Sequence, residues 1–273
     1  MNKTERLYAF ALRKHVITSE ELGEWAQEEL GKDYKYLYTK YITRLMAQGK
    51  LVRVTRGMYT ARNLFPTSPY DHPDAPPNKY LVGSKLRERY FLGYHTAMEL
   101  HGCAYSVFYE THVVTHDEDK FRTFIHGPES FRSVLSKDIE TEVVEVRVLD
   151  QNVRVSSPSR TFVECIRRWD LCGGLEEVLK SLDSLEGVTP EGLDAAIGIY
   201  DYDILRRSVG FFLELMMAES PYYGHIPMEY IDSLRERVSD APSYYIRGEP
   251  SVLDAKWNLF VPDYLDELMA GVL

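Results

Sequence analysis

Apolar residues in the first part of the chain recur at helical spacing. Leu7, Phe10, Ala11 and Leu12 predict a first helix, which ends near His15, and Val16 begins a short apolar connector. The connector leads directly into a second segment with its own start signal.

A second helix is predicted to begin at Ser19. Thr18 precedes it and Glu21 follows three residues later, a pair that forms a capping box at a helix start. Its predicted inner face is apolar and its outer face is acidic, so we expect this helix to support its neighbours and not to bind an anionic partner. The inner face consists of Leu22, Trp25, Ala26 and Leu30, and the outer face of Glu24, Glu28 and Glu29.

A third helix is predicted from about Tyr36 to Gln48, with an apolar stripe and a separate polar stripe. The apolar stripe is Leu37, Tyr41, Ile42 and Leu45; the polar stripe is Lys35, Thr39, Lys40, Thr43 and Arg44. Such side chains on one helix face can contact base edges and phosphates in a major groove, although a polar stripe is also typical of an ordinary solvated face.

The run "GKLVRVTRGMYTAR" predicts two strands that meet at a bend at Arg56-Gly57. Three helices followed by this hairpin predict a winged helix-turn-helix over residues 1–62. Arg53, Arg56 and Arg62 are expected to line or flank the wing, where arginine can contact phosphates or a minor groove.

The remainder of the chain predicts an α+β body with an antiparallel sheet. Five prolines mark residues 63–78 as a linker, and residues 79–273 form the body, divided into a sheet-containing part (79–156) and a helical part (157–273). A helix ends at Gly102, about four or five strands follow between Glu110 and Val155, and Ser157-Pro158 caps the next helix.

Charge separates the two parts. The whole chain contains 32 basic and 42 acidic residues. Residues 1–62 contain 12 basic and 7 acidic residues, whereas the remaining residues contain 20 basic and 35 acidic residues. Condensed charge on nucleic acid attracts cations and repels an acidic surface, so the basic part is predicted to bind double-stranded DNA.

Composition excludes several other classes of protein. Cys103, Cys165 and Cys172 lack the short paired spacings of a zinc site and indicate a reduced compartment. No apolar run approaches the roughly 20 residues that span a bilayer. We expect a cytoplasmic protein with no membrane partner, no cofactor, no metal and no catalytic residues.

Three further groups of residues are candidate sites. Arg160, Arg167 and Arg168 form a candidate partner or anion site, with structural ion pairs to Glu164, Asp170 or Glu176 as the alternative. The other two groups would suit a metal-dependent nuclease or another nucleic-acid enzyme targeted by the winged helix, which is the alternative function. These groups are the histidines His112, His116 and His126, and the charged row Asp138, Glu142, Glu145 and Arg147.

Four segments in this order resemble the AbiEi-type antitoxins, which are winged-helix transcriptional regulators of type IV toxin–antitoxin systems. The segments are "RVTRGMYTAR", "YFLGYHTAMELHG", "SPSRTFVECIRR" and "GGLEEVLKSL", and the resemblance covers about residues 1–215. The third helix is richer in tyrosine than the family pattern, Glu164 replaces an aspartate, and residues 222–273 match nothing specific.

The resemblance implies a repressor that binds inverted repeats in its own operator and is not an enzyme. It also implies that the C-terminal domain counters a nucleotidyltransferase toxin, with or without direct contact. By position, the family's DNA-reading residues fall on Lys40, Thr43, Arg44, Arg53 and Arg56. The oligomeric state, monomer or homodimer, stays open.

Overall fold

A computed structural model describes residues 1–64 and 76–270 of the chain. Most of the predicted linker, residues 65–75, lies outside the described residues, as do residues 271–273 at the end of the chain. We use "head" for residues 1–64 and "body" for residues 76–270.

The head is a winged helix-turn-helix. Its elements are α1 (Lys3–Lys14), β1 (Val16–Thr18), α2 (Ser19–Leu30), α3 (Tyr34–Leu37), α4 (Thr43–Ala47), β2 (Leu51–Thr55) and β3 (Met58–Ala61), with a π-helical turn (Tyr38–Ile42) joining α3 to α4. The strands form an antiparallel sheet in the order β1-β3-β2. The apolar connector at Val16 is therefore a third strand of the wing sheet, because Val16 pairs with Thr60.

Local sequence signals set the helix ends of the head. The Thr18 hydroxyl accepts the Glu21 amide, and the Glu21 carboxylate accepts the Thr18 amide, so the predicted capping box is confirmed. Gly31 ends α2 in a left-handed conformation that suits glycine. Asp33 caps α3 by accepting the Tyr36 amide, which starts the third helical segment two residues before the predicted Tyr36.

The sheet-containing part of the body follows. Its elements are α5 (Lys79–Ser84), β4 (Phe91–Leu92), α6 (His95–His101), β5 (Glu110–Thr115), β6 (Phe124–His126), β7 (Glu129–Leu135), β8 (Val143–Val148) and β9 (Gln151–Ser156). As predicted, α6 ends at Gly102, which adopts the left-handed conformation.

The six-stranded sheet has the order β6-β7-β5-β4-β9-β8 and is mixed. Its antiparallel pairs are β6–β7, β5–β4 and β9–β8, whereas β7–β5 and β4–β9 are parallel. The α+β class is confirmed, but the antiparallel expectation fails at two junctions. The parallel β4–β9 junction arises because β4, a two-residue strand in a segment read only as the approach to a helix, enters the centre of the sheet. The parallel β7–β5 junction arises because β7, and not the preceding strand β6, lies beside β5.

Helices dominate the rest of the body. They are α7 (Pro158–Arg167), α8 (Leu175–Leu182), α9 (Pro190–Tyr200), α10 (Asp203–Glu219), α11 (Met228–Arg235) and α12 (Leu265–Ala270). A small sheet, in the order β10-β12-β11, comes from β10 (Ser243–Tyr244), β11 (Ser251–Asp254) and β12 (Leu259–Pro262). Ser157 caps α7 and Pro158 occupies its first turn, as predicted.

One apolar core joins the two parts of the body. Phe91 and Val114 of the six-stranded sheet belong to the same buried cluster as Phe162 of α7, Phe212 of α10 and Trp257 of the C-terminal segment. The segment after residue 222 therefore completes the core of the body rather than extending away from it.

The head packs on the body through one face of the wing sheet. Val16, Val54 and Met58 share a buried cluster with body residues such as Leu81 and Val153. Since this face is covered by the body, the opposite side of the head, which carries α3 and α4, is left for other contacts. Within the described residues, no helix combines the length and apolar character required to cross a membrane.

Candidate nucleic-acid interface

The third helical segment, residues 34–47, differs from a regular helix at its centre. Leu37 and Ile42 are both fully buried although they are five residues apart. A regular α-helix would place Tyr41 with Leu37, as the sequence pattern assumed, whereas the wider π turn brings Ile42 onto the buried face. Tyr41 is only half-buried.

Threonine hydroxyls donate hydrogen bonds to backbone carbonyls of the helix near this turn. The Thr43 amide donates to the Tyr38 carbonyl five residues back, and the Thr43 hydroxyl donates to the Thr39 carbonyl at 2.9 Å. The Thr39 hydroxyl similarly donates to the Lys35 carbonyl at 3.0 Å. Both oxygens keep lone pairs for an outside donor, because each hydroxyl hydrogen is engaged within the helix.

The predicted polar stripe lies on the surface of this segment. Its five members are all exposed: Lys35, Thr39, Lys40, Thr43 and Arg44. The Lys40 ammonium donates to the Tyr36 hydroxyl at 3.0 Å, and this bond raises the pKa of Lys40 above its ordinary value. Among the described residues, neither Lys35 nor Arg44 forms an ion pair, so their charges are available to an external anion.

Arg56 occupies the tip of the wing. It is exposed and forms no ion pair with any described residue, and Gly57 beside it adopts a positive φ of 76° that closes the turn. The Gly57 carbonyl accepts the Ser19 amide at 2.6 Å, which ties the wing tip to the first residue of α2.

Arg53 lies in a groove of about 700 Å³ between the third helical segment and the wing. It is exposed, but its guanidinium donates to the hydroxyl of Tyr38 at 2.9 Å. Arg53 thus borders the same groove as Arg56, with no carboxylate bonded to it among the described side chains.

Arg62 is separated from the other predicted residues. It follows β3 at the end of the hairpin opposite to the tip, where its carbonyl accepts the Tyr8 hydroxyl. Its charge contributes, after burial, to the lowered pKa of His126 in the body. Arg62 is therefore placed at the junction of head and body, whereas Arg53 and Arg56 border the groove.

A second cleft, of about 830 Å³, opens between the wing tip and the body. Arg56 borders it from the head, and Lys85, Arg87, Arg89 and Arg122 border it from the body. Reasoning from the sequence missed these body residues, because the acidic total of the body conceals a local group of cations that only the fold brings next to the wing.

The cations of this second cleft differ in how far they are neutralised. Arg89 pairs with Asp119 at 2.9 Å and also with Glu118, and Lys85 pairs with Glu21 at 2.7 Å. Arg87 donates to backbone carbonyls, while Arg122 is exposed and forms no ion pair with the described residues.

The candidate anion site on α7 is not assembled on the surface. Arg160 is fully buried, and its Nε donates to the Glu164 carboxylate at 2.9 Å, so the ion-pair alternative describes it. Arg167 is half-buried and donates to the Tyr94 hydroxyl at 2.8 Å. Arg168 pairs with Asp170 through two bonds of 2.7 Å. Residues 159–166 of α7 are all buried, so Arg160 lies inside the body and cannot reach an outside anion.

The carboxylates of the nuclease alternative bind separate partners. Asp138 accepts the Thr141 hydroxyl at 2.6 Å, Glu142 accepts the Ser157 hydroxyl at 2.6 Å, and Glu145 accepts the Asn152 amide at 2.8 Å. Arg147 donates to the Leu149 carbonyl at 3.2 Å.

The three histidines are likewise dispersed. His112 is buried and bonds Glu110, His116 bonds the Ser136 carbonyl, and His126 lies on the edge strand β6. No group of three or more His, Cys, Asp or Glu side chains suited to a metal ion occurs in residues 1–64 or 76–270.

Comparison with solved structures supports the fold. The crystal structure of the RV2827C protein from Mycobacterium tuberculosis matches the fold with a TM-score of 0.66 at 14% sequence identity, over 98% of this chain and 94% of that chain. At this identity the similarity establishes the fold alone. A search of curated proteins finds no match.

The sequence model of a family described as "Transcriptional regulator, AbiEi antitoxin" matches residues 5–61, which span α1 to the end of β3. This segment contains the exposed stripe, the groove and the wing tip. The resemblance noted from the sequence is thus confirmed for the head, where residues 5–61 are similar to the AbiEi antitoxin family of transcriptional regulators.

Proposed function

We propose that this chain is a DNA-binding transcriptional regulator that represses its own toxin–antitoxin operon. The observation that carries the proposal is a set of exposed arginines on the winged helix, Arg44 on the third helical segment and Arg53 and Arg56 bordering one groove beside it. None of the three is bonded to a carboxylate among residues 1–64 and 76–270. Unneutralised cations in this arrangement suit a duplex, whose phosphates they can contact with release of counterions.

The third helical segment is the part that would enter the major groove. Lys35, Thr39, Lys40, Thr43 and Arg44 are its exposed side chains. The wing tip at Arg56 would contact the backbone or the minor groove beside it. Two copies of the chain would occupy an operator made of inverted repeats, one on each half-site.

Binding of the full-length protein to a labelled duplex from upstream of its own gene tests this part of the proposal. The expected result is saturable binding that an unlabelled operator competes far better than an unrelated duplex of equal length. Equal competition by both duplexes would refute a sequence-specific regulator.

The antitoxin role concerns the body and a nucleotidyltransferase toxin encoded alongside. The match of residues 5–61 to the AbiEi family supports this role, because the description of that family names both transcriptional regulation and antitoxin function. We infer that neutralisation does not require DNA binding, because the head uses the side away from the body for the duplex.

Expression of the adjacent toxin with the full-length protein, each from an inducible foreign promoter, tests this role. The double variant Arg44→Ala/Arg56→Ala is expected to restore growth as well as the parent chain. A toxin whose effect is unchanged by either chain would contradict the antitoxin assignment.

A further inference from the structure

Tyrosine hydroxyls from the third helical segment and the wing converge on one guanidinium. Arg53 donates through Nη2 to the Tyr38 hydroxyl at 2.9 Å and to the Tyr59 hydroxyl at 3.4 Å. Tyr59 also bonds the Tyr34 hydroxyl at 3.0 Å. We call Tyr34, Tyr38 and Tyr59 the tyrosine clamp.

The clamp is built into the head on one side and open on the other. Tyr59 is 1% exposed, so its ring is fixed in the core, and the Tyr34 ring lies 6.0 Å from that of Tyr38. Arg53 itself is exposed and borders the groove together with Arg56. The guanidinium is therefore held from beneath while its remaining donors face solvent.

A phenol holds an arginine differently from a carboxylate. Arg6 of α1 is neutralised by Glu29, and Arg168 of the body by Asp170. A phenol hydroxyl, unlike a carboxylate, brings no formal negative charge to the hydrogen bond. Burial raises the pKa of the neighbouring Tyr34 well above its ordinary value, so the Tyr34 side chain adds no negative charge to the groove. The hydrogen bonds fix Arg53 without cancelling its charge.

The bonding also leaves Arg53 able to bind a second group. Of its five N–H donors, those on Nη2 face the tyrosines, whereas those on Nε and Nη1 have no partner among the described residues. A planar guanidinium with free donors matches the oxygens of a phosphate. On a duplex engaged by the third helical segment and the wing, a phosphate backbone would run along the groove between them.

Resting on the proposed function, we propose that Tyr38 and Tyr59 are positioning residues that hold Arg53 ready to contact a DNA phosphate. An unrestrained arginine loses side-chain freedom when it is immobilised at an interface. The clamp restricts the Arg53 side chain before DNA arrives, so part of this entropic cost no longer opposes binding. Removal of the clamp is therefore expected to weaken binding about three- to tenfold.

A double-mutant cycle on the full-length protein tests the clamp. Tyr38→Phe keeps the ring and its packing but removes the hydroxyl, and Arg53→Ala removes the guanidinium. Operator affinity is measured over a series of salt concentrations for the parent, both single variants and the double variant, with Tyr105→Phe in the body as a matched loss of an exposed tyrosine hydroxyl.

We expect Tyr38→Phe to weaken binding about three- to tenfold with an unchanged salt slope, because the phosphate contact still forms. Arg53→Ala should lower the slope by about one, and Tyr38→Phe should have no further effect in that background. Tyr105→Phe should bind as the parent does.

Two results would overturn the clamp while leaving the proposed function intact. One is an equal loss from Tyr38→Phe with and without Arg53, which would mean that Tyr38 contacts DNA itself. The other is parental affinity in Tyr38→Phe. Failure of the parent chain to bind its operator would instead overturn the proposed function and the clamp together.

Discussion

The Glu21 carboxylate of the head binds the Lys85 ammonium of the body, with its two oxygens at 2.7 and 2.9 Å. The same carboxylate accepts the Thr18 amide at the start of α2. One side chain therefore caps α2 of the head and joins that helix to the body. Under the proposed function, this contact would help to set how the head is presented to DNA.

Removal of the Glu21 charge should lower stability in a pH-dependent way. Burial alone would raise the pKa of Glu21, but the hydrogen bonds from Lys85 and the Thr18 amide outweigh it and hold the pKa below the ordinary value of 4.5. A carboxylate with a lowered pKa stabilises the folded chain above that ordinary value, and the stabilisation is lost as pH falls through the folded pKa.

Glu21→Gln tests this contribution, because glutamine can still serve the capping box. We expect a loss of about 2 kcal/mol in the free energy of unfolding near pH 7. Thermal or denaturant unfolding from pH 7 to pH 3 should show the gap between variant and parent closing in acid. A gap that stays constant over this range would contradict the assignment.

Arg160 and Glu164 form the most buried ion pair of α7, with both side chains fully buried. Arg160 also stacks at 4.1 Å over the Phe91 ring and donates to the Thr141 carbonyl, which joins α7 to the sheet. Arg160→Met should cost about 3–5 kcal/mol, since it leaves Glu164 buried without its cation.

Arg168→Ala is the matched control for that experiment. Arg168 pairs with Asp170 on the surface of the same region, and exposed pairs contribute at most about 1 kcal/mol. Measured by denaturant unfolding, the decrease in the free energy of unfolding should therefore be several-fold larger for Arg160→Met than for Arg168→Ala. Equal decreases would show that the buried pair of Arg160 and Glu164 does not stabilise the body more than an exposed pair does.

Gly210 of α10 lies directly under the Trp257 indole. A Cβ at position 210 would come within 2.1 Å of an indole carbon, and Trp257 is fully buried and bonded through Nε1 to Glu214. Gly210→Ala should cost about 3 kcal/mol by overpacking, even though alanine favours a helix.

Gly198→Ala in α9 is a suitable comparison, because no heavy atom lies within 4 Å of its added Cβ. That change should be neutral or slightly stabilising. If Gly210→Ala unfolds at the same temperature as the parent chain, the C-terminal segment does not pack on α10 as described.

Features with a local cause could be predicted from the sequence. The capping box of Thr18 and Glu21 and the Ser157-Pro158 start of α7 depend on residues within one turn, and the structure has both. The alternation of apolar residues near Arg56-Gly57 was likewise enough to predict the hairpin. Match of residues 5–61 to the AbiEi family confirms the head that these signals predicted.

Features with a long-range cause could not be predicted. The π turn follows from burial of both Leu37 and Ile42, which a fixed helical period does not anticipate. The inward position of Arg160 depends on Glu164 and on the sheet beneath it. Arg122 meets the wing tip only because the head packs on the body, so counting charges along the chain placed it in an acidic region.

The salt dependence of operator binding tests the central claim most directly. Arg44→Ala and Arg56→Ala are compared with the parent and with Lys180→Ala, which removes a body cation already paired with Glu176. Each head variant should bind more weakly and should lower the slope of log affinity against log salt by about one, while Lys180→Ala should leave both unchanged. Parental affinity and slope in both head variants would contradict a DNA-binding face formed by these arginines.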